Sequence, residues 1–194
     1  MDLFPVREVE IGACRSLPPR VSRDEAVRTF GAGNCTPLQL IGRLTRGRIH
    51  AVADVYVPYH LFRVEVVDRG RRQTSYFAID AVAGALDLYA FERGAAELDL
   101  VTIQSRNRVS RMLDAAAAWP LLAAKLERAL FQNGFFRLRH PQLTGHREPV
   151  DLHIPYWLGF YGDEASVWFD VLDAVRRRIE GGKARALFTD WLRR

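Results

Sequence analysis

Alternating apolar and polar residues predict a series of β-strands in the first half of the chain. Within residues 48–67, Phe62, Val64 and Val66 alternate with charged residues, as in a strand with one buried face. The segment DRGRR that follows is typical of a hairpin loop. The strands predicted in this half are residues 4–12, 48–67, 73–82 and 85–92.

Helical periodicity and capping residues mark further segments. Ser22, with Glu25 three residues later, forms the capping box of a first helix that ends at a glycine. Thr36 is a favourable N-cap for a short second helix. Residues 108–134 have helical periodicity, and we expect Pro120 to kink or divide that helix. The other predicted elements are a strand at 135–140, a loop at 141–149, hairpin strands at 150–162 and 165–175, and a helix at 181–192.

One phrase occurs in each half of the chain. DVYVPYHL at 54–61 and DLHIPYWL at 151–158 share Asp, Pro, Tyr and Leu, at an offset of 97 residues (151 minus 54). FAIDAV at 77–82 and DVLDAV at 170–175 share Asp-Ala-Val, at an offset of 93 (173 minus 80). A shorter hairpin loop in the second half accounts for the difference. Two matching blocks in the same order predict an internal duplication.

The predicted fold class is therefore α+β, with two helix-plus-antiparallel-sheet units related by a pseudo-twofold axis. The first unit is predicted at 1–104 and the second at 105–194, packed together as one body. Pro58 and Pro155 lie inside the repeated phrase. Because proline cannot donate to a sheet ladder, each is expected at an edge strand, a bulge or a strand start.

The segment YVPYHLFRVEV…YFAIDAVAGAL resembles the strand-loop-strand, ending in Asp-Ala-x-x-Gly, of PepSY-like and cystatin-like α+β modules. The resemblance covers about 35 residues in each half. It implies a helix packed across a curved antiparallel sheet and a non-catalytic, regulatory or inhibitory role, and it transfers no active-site residue. The second copy, DAVRRRIEGG, lacks the glycine at the expected place.

Composition indicates an ordinary globular chain of 194 residues, 48% hydrophobic and 26% charged. No apolar run reaches the length of a membrane span. The start, MDLFPVREVEIG, carries acidic residues and has no apolar signal-peptide core. With only two cysteines, Cys14 and Cys35, these features predict a reduced, cytoplasmic protein without a disulfide framework.

The net charge of +5 raises the hypothesis of a nucleic-acid or polyanion binder. Of the 28 basic residues two are lysines, which leaves 26 arginines, a bias that a GC-rich genome produces by itself. The arginines form small groups at predicted turns and element ends, whereas nucleic-acid binders concentrate charge on one face. Nucleic acid is therefore an unfavoured partner.

The repeated phrase also supplies the candidate binding residues. A pseudo-twofold fold often binds ligands at the seam between its halves, which makes Tyr59, Tyr156, His60 and Trp157 candidate contacts. His60 aligns with Trp157, and Tyr56 with His153, so the two copies differ at these positions. The duplicated Asp54 and Asp151 are further candidate binding residues.

Two catalytic hypotheses compete with a binding role. Cys35 precedes a predicted helix start, where the helix dipole favours a thiolate nucleophile, and a histidine such as His50 or His60 would have to lie nearby. Alternatively, Asp54 and Asp151 form an acid–base pair of carboxylates. Turn capping explains the two aspartates equally well.

No recognised cofactor or metal motif occurs in the sequence. We therefore expect no cofactor and no metal. The function predicted best is a non-catalytic binding or protein-interaction module made of a duplicated α+β unit, with an unidentified protein or small molecule as partner and with homodimerisation possible. Whether the protein is an enzyme stays open at this point, with a non-catalytic role favoured.

Overall fold

A computed structural model describes residues 11–32, 49–68, 71–132, 142–163 and 166–194, and the fold is α+β. The strands are β1 Gly12–Ser16, β2 Ile49–Asp68, β3 Arg71–Asp80, β4 Tyr89–Phe91, β5 Val101–Ser105, β6 Gln142–Arg147, β7 Leu152–Asp163, β8 Ser166–Asp173 and β9 Arg178–Ile179. The helices are α1 Arg23–Ala32, α2 Ala115–Gln132 and α3 Gly182–Leu192, with a 3₁₀ turn at Ala95–Glu97.

The strands form one mixed sheet of nine, organised around β2 and β7. These two strands pair antiparallel, with Val57 opposite Ile154. From Tyr59 onward β2 pairs with β3, and its last residues also pair with β6. From Tyr156 onward β7 pairs with β8. A ribbon of β1 and β5 joins β7 at Ser16, and the short β4 and β9 flank β3 and β8.

Side-chain alternation along β2 and β7 divides the core between the two faces of the sheet. On one face, buried residues of both strands pack with α3: Val55, Val57, Tyr59, Leu61, Leu152, Ile154, Tyr156, Leu158, Leu187 and Phe188. On the other face α1 packs Phe30 against Tyr161, and α2 packs Leu122 near Phe62. The two central strands therefore contribute to every part of the core.

Several predicted elements are confirmed. Residues 49–68 form one long strand, the two hairpins are in place, and α3 buries Leu187 and Phe188 as expected. The Glu25 N–H donates to Ser22 Oγ at 3.2 Å, which confirms the N-cap of α1. The predicted strand at 135–140, the short second helix at Thr36 and most of the first predicted strand, 4–12, lie outside the described residues.

Two element predictions are wrong, those for residues 108–114 and 142–147. Residues 108–114 are not helical, because the Val109 N–H donates to Tyr56 O at 2.9 Å and Asp114 caps α2 through the Ala117 N–H at 2.7 Å. Pro120 lies within a single continuous α2 and does not divide it. Residues 142–147, predicted as a loop, form β6, which pairs with the edge of β2. The predicted unit boundary at 104/105 falls inside β5.

Candidate functional site

Pro58 and Pro155 both lie within the β2–β7 ladder, Pro58 in the middle of β2 and Pro155 in the first third of β7, contrary to the prediction of an edge, a bulge or a strand start. The one register shift in the β2–β7 pairing occurs earlier, between Ile49 and Ala51. In an antiparallel ladder, the N–H and C=O of one residue point to the same neighbouring strand. Pro58 O accepts from the Ala81 N–H, just past the end of β3. The missing proline N–H therefore faces away from β7, and the β2–β7 ladder loses no bond.

Because each proline has no N–H, the carbonyl oxygen opposite it can accept hydrogen bonds from another part of the chain. Ala81 O, which would face a β2 N–H at position 58, accepts instead from the Met112 and Leu113 N–H groups at 2.8 and 2.9 Å. Ala174 O faces Pro155 in the same way and accepts from the Arg20 N–H at 2.8 Å. Each proline thus ends one ladder at the place where the chain leading into a helix docks.

Tyr59 and Tyr156, the first candidate contacts, are buried, and their hydroxyl oxygens are 2.8 Å apart. Nearby, the Tyr89 hydroxyl donates to the buried Asp173 carboxylate. Burial raises the pKa of all three tyrosines well above the ordinary value, so the hydroxyls stay protonated. Because neither Tyr59 nor Tyr156 reaches the surface, the prediction that they contact a partner at the seam is wrong.

Asp80 and Asp173, which end the two hairpins, satisfy the backbone of the turns that follow. Asp80 accepts from the Val82, Ala83 and Gly84 N–H groups through Oδ1, and from that of Leu86 through Oδ2. Asp173 Oδ1 accepts from the N–H groups at 175 and 176. Both carboxylates are completely buried, and these bonds explain why each hairpin ends in an aspartate.

His60 and Trp157 each fasten the chain that enters a helix. His60 Nε2 lies 2.8 Å from Leu113 O, ahead of α2, and Trp157 Nε1 donates to Val21 O at 2.9 Å, ahead of α1. His60 is 3% exposed, and desolvation lowers its pKa, so the ring is held neutral. His60 is therefore not a surface contact, and the half-buried Trp157 also has a structural bond.

Asp54 and Asp151 do not form a carboxylate pair. Asp54 lies opposite Trp157, whereas Asp151 precedes Leu152, which lies opposite Tyr59. The two aspartates are thus six positions apart along the strands, roughly 20 Å at the usual rise per residue. Asp151 Oδ1 instead lies 3.3 Å from Arg111 Nη2 and 3.6 Å from His153 Nδ1. The acid–base hypothesis fails on this separation.

Two clefts open on the surface beside the turns that follow Asp80 and Asp173. The first, called the arginine cleft, has a volume of about 790 Å³. Its lining includes Arg20, Tyr89, Phe91, Arg93, Arg176 and Arg177. The second, called the tryptophan cleft, has a volume of about 610 Å³. Its lining includes Val82, Met112, Leu187, Asp190, Trp191 and Leu192, with Arg106, Arg108 and Arg194 at its rim.

One lining residue of the arginine cleft has a strained backbone. Arg177 has φ +59° and is the one non-glycine residue with positive φ in the described ranges. Left-handed backbone costs a non-glycine residue about 1–2 kcal/mol. The Arg177 guanidinium pairs with Glu25 on α1, and an exposed pair of this kind contributes at most about 1 kcal/mol. The ion pair therefore does not offset the strain, and stability alone does not explain an arginine here.

Most members of the predicted arginine groups already have partners. Arg111 pairs with Asp151, Arg177 with Glu25, and Arg178 with both Asp87 and Glu180. Arg108 donates to Ala13 O at 3.3 Å. These contacts disperse the positive charge over several acids and carbonyls, which argues against one polyanion-binding face.

The remaining chemical hypotheses bear on metals and on Cys35. Cys35 lies outside the described residues, so its proposed nucleophilic role stays a prediction. Within the described ranges no cluster of histidine, cysteine and carboxylate side chains could hold a metal ion. In the same ranges no helix has the length and apolar character needed to cross a membrane. Sequence reasoning missed both clefts, because their walls come from turns and helix ends that are distant along the chain.

The chain was compared with protein-family models, with curated proteins and with solved structures. None of the three comparisons gave a match.

Proposed function

We propose that the chain consists of two copies of one α+β unit that meet where β2 pairs with β7. Val57 and Ile154 are equivalent in the repeated phrase (57 plus 97 is 154), and they lie opposite each other in the ladder. Antiparallel strands related by a twofold axis must pair at equivalent residues, so this register is the one that a pseudo-twofold axis requires.

The hydrogen bonds around each proline support the same proposal. The Ala81 N–H donates to Pro58 O and the Ala174 N–H to Pro155 O, at 2.8 and 3.1 Å. The chain ahead of α2 then bonds Ala81 O, and the chain ahead of α1 bonds Ala174 O. In each copy the tyrosine after proline also lies opposite the terminal aspartate of its hairpin. On this proposal the second unit begins before Val101, since β5 is the counterpart of β1.

Within this architecture we propose a non-catalytic, protein-binding role, with the tryptophan cleft as the binding surface. The observation that carries this proposal is the apolar wall: Met112 is 56% exposed and Leu192 47% exposed, next to the half-buried Trp191. Large apolar side chains that line a surface cleft mark interaction sites, because covering them removes apolar area from water.

Charge at the rim indicates what kind of segment occupies the cleft. Arg106, Arg108 and Arg194 line it, against one acidic residue, Asp190; Arg194 Nη1 contacts Met112 Sδ, and Arg108 Nη1 donates to Ala13 O. A partner segment with apolar side chains flanked by acidic residues is complementary to this arrangement. A second copy of the chain is the competing occupant, and its binding would give a concentration-dependent homodimer.

The experiment compares variants in binding Nile red, a neutral apolar dye. We expect Met112→Asp to reduce dye fluorescence strongly, since it places a charge in the apolar wall. The matched control is Val167→Asp, because Val167 is 67% exposed and belongs to neither cleft. Equal dye binding by both variants would contradict the proposed surface. Sedimentation at several concentrations separates a partner site from a dimer interface.

The other hypotheses are less well supported. An enzyme using Cys35 stays a prediction, as do the PepSY-like or cystatin-like identity and the cytoplasmic location. Helices pack on a sheet, as that resemblance implies, but the sheet is mixed where the resemblance implies an antiparallel one, and many α+β folds combine helices and a sheet in this way. Tyr59, Tyr156 and His60 are buried and make structural hydrogen bonds near the pairing of β2 with β7. A partner is therefore expected to bind at a surface cleft and not to these side chains.

A further inference from the structure

The arginine cleft occupies the same place in the first half of the fold as the tryptophan cleft does in the second. We propose that it binds a small aromatic carboxylate, an inference that rests on the proposed duplication and assigns a site separate from the protein-binding surface.

Three arginines of the cleft stand where the other copy has uncharged residues. Arg20 and Met112 both donate their N–H to the alanine that follows the hairpin aspartate. Counting from those aspartates, Arg176 corresponds to Ala83 and Arg177 to Gly84. The same turn therefore forms without any arginine at these positions, so the fold itself does not require the three positive charges of this cleft.

Backbone geometry strengthens this comparison at one position. Gly84 has φ +64°, and Arg177 has nearly the same value, +59°. Glycine adopts this conformation without strain, whereas arginine does not. An exposed ion pair to Glu25 contributes at most about 1 kcal/mol, so binding of a ligand by the Arg177 guanidinium would give a further reason for arginine at this position. Observed strain at a cleft is a basis for a hypothesis of function.

A rigid cation and an aromatic wall shape the interior of the cleft. The Arg176 guanidinium lies 3.7 Å from the centre of the Tyr89 ring and donates to Leu88 O. Tyr89 is fixed in turn by its bond to Asp173, and it stacks on Phe91 with ring centres 6.1 Å apart. Tyr89 is itself buried beneath Arg176, so a ligand would meet the preorganised guanidinium and the half-buried Phe91 ring, an arrangement that favours planar anions.

Charge and size select among anions. Arg20 makes no ion pair with any residue in the described ranges, and Arg176 is held by a ring and a carbonyl instead of a carboxylate. Glu92, Glu97 and Asp99 also line the cleft, with Glu97 Oε2 3.7 Å from Arg93 Nε, and these acids disfavour a dianion such as a phosphate monoester. A cleft of about 790 Å³ exceeds the needs of an inorganic ion and suits a small organic molecule. A monoanionic carboxylate with an aromatic ring meets all of these conditions.

The test is isothermal titration with 1-naphthoate, 1-naphthyl phosphate and 1-naphthylmethylammonium, which share the ring and differ in charge. We expect 1-naphthoate to bind most tightly. Arg20→Gln, Arg176→Gln and Arg177→Gly should each weaken its binding roughly tenfold. Arg177→Gly is the decisive variant, because it removes the guanidinium while relieving the backbone. Arg178→Gln is the control: it removes the same charge from a neighbouring residue that does not line the cleft.

Several outcomes would overturn the inference. One is equal binding of the three naphthyl compounds, and another is tighter binding of the phosphate. The inference also fails if the cleft variants, each confirmed as folded by circular dichroism, bind 1-naphthoate as the control does. Met112→Asp separates the two sites: it should leave 1-naphthoate affinity unchanged whether or not it abolishes Nile red binding. Loss of 1-naphthoate binding in that variant alone would move the anion to the tryptophan cleft and refute the assignment.

Discussion

The hydrogen bond between Tyr59 and Tyr156 is buried where β2 pairs with β7, and we predict that breaking it lowers the free energy of unfolding. Tyr59 is 0% and Tyr156 3% exposed, and their oxygens lie 2.8 Å apart. Tyr59→Phe removes one partner and leaves the other hydroxyl buried without this bond, which costs about 1–3 kcal/mol of unfolding free energy. Tyr156→Phe should have a similar cost. The double variant, Tyr59→Phe with Tyr156→Phe, removes both hydroxyl groups, so we expect it to lose no more stability than either single variant.

Urea denaturation of the wild type, the two single variants and the double variant measures the coupling between the two hydroxyl groups as a double-mutant cycle. A loss of 1 kcal/mol corresponds to a fall in Tm of roughly 2–4 °C for a chain of this size. Tyr76→Phe is the control, because Tyr76 is only half-buried, and it should change stability by less than about 0.5 kcal/mol. Additive losses in the double variant, or single variants as stable as the control, would refute the assignment of these tyrosines to the interior.

Three further predictions concern backbone strain, pH and close packing. Arg177→Gly should leave the Tm unchanged or raise it, because glycine adopts positive φ without strain. Gly84→Ala should lower the Tm, because φ is +64° at Gly84 and a Cβ would lie 2.8 Å from Leu121 Cδ1. Thermal melts of both variants test the direction of each change. Desolvation lowers the pKa of His60 and His153 below the ordinary histidine value of about 6.5, so the folded state binds fewer protons than the unfolded state. The free energy of unfolding measured in urea should therefore fall as the pH drops below about 6.5, and should fall less in His60→Gln. Gly145→Ala should be strongly destabilising because a Cβ would overlap the Trp119 ring, while Gly181→Ala, with open space around it, should melt like the wild type.

Sequence periodicity predicted the elements whose own residues alternate clearly. β2, β3 and β8 have apolar faces that pack against a helix or the central core, so their patterns reflect burial directly. β6 has almost no such pattern, because Gly145 lies beneath Trp119 and leaves Leu143 as its main apolar contribution. Its strand conformation comes from pairing with β2, which no local pattern reveals.

The prolines and the segment at 108–114 illustrate a different limit. Proline lacks an N–H, and from the sequence alone this argued for a strand edge. In the fold, the gap accommodates the chain that leads into a helix, more than fifty residues away in one copy and more than one hundred in the other. Residues 108–114 contain helix-forming side chains, but backbone bonds to Tyr56 and Ala81 hold this segment in a non-helical conformation. Long-range hydrogen bonds decided both cases.

The candidate site was predicted only in part for the same reason. The two copies of the repeated phrase lie where β2 pairs with β7, yet their tyrosines and His60 are buried. Surface clefts formed beside it, from residues such as Trp191 and Arg176 that no repeat or motif singled out. Alternation along β2 and β7 turns Tyr59 and Tyr156 inward, and that orientation depends on which face of the sheet each helix covers.

The central claim is that the tryptophan cleft receives an apolar segment with acidic flanks from a protein partner. Its most direct test is the affinity of two synthetic peptides with the same apolar core, one flanked by glutamate and the other by lysine, measured by fluorescence anisotropy. The account predicts that the glutamate-flanked peptide binds more tightly, that salt weakens its binding, and that Met112→Asp abolishes it. Equal affinity for the two peptides, or binding that survives Met112→Asp, would contradict the account.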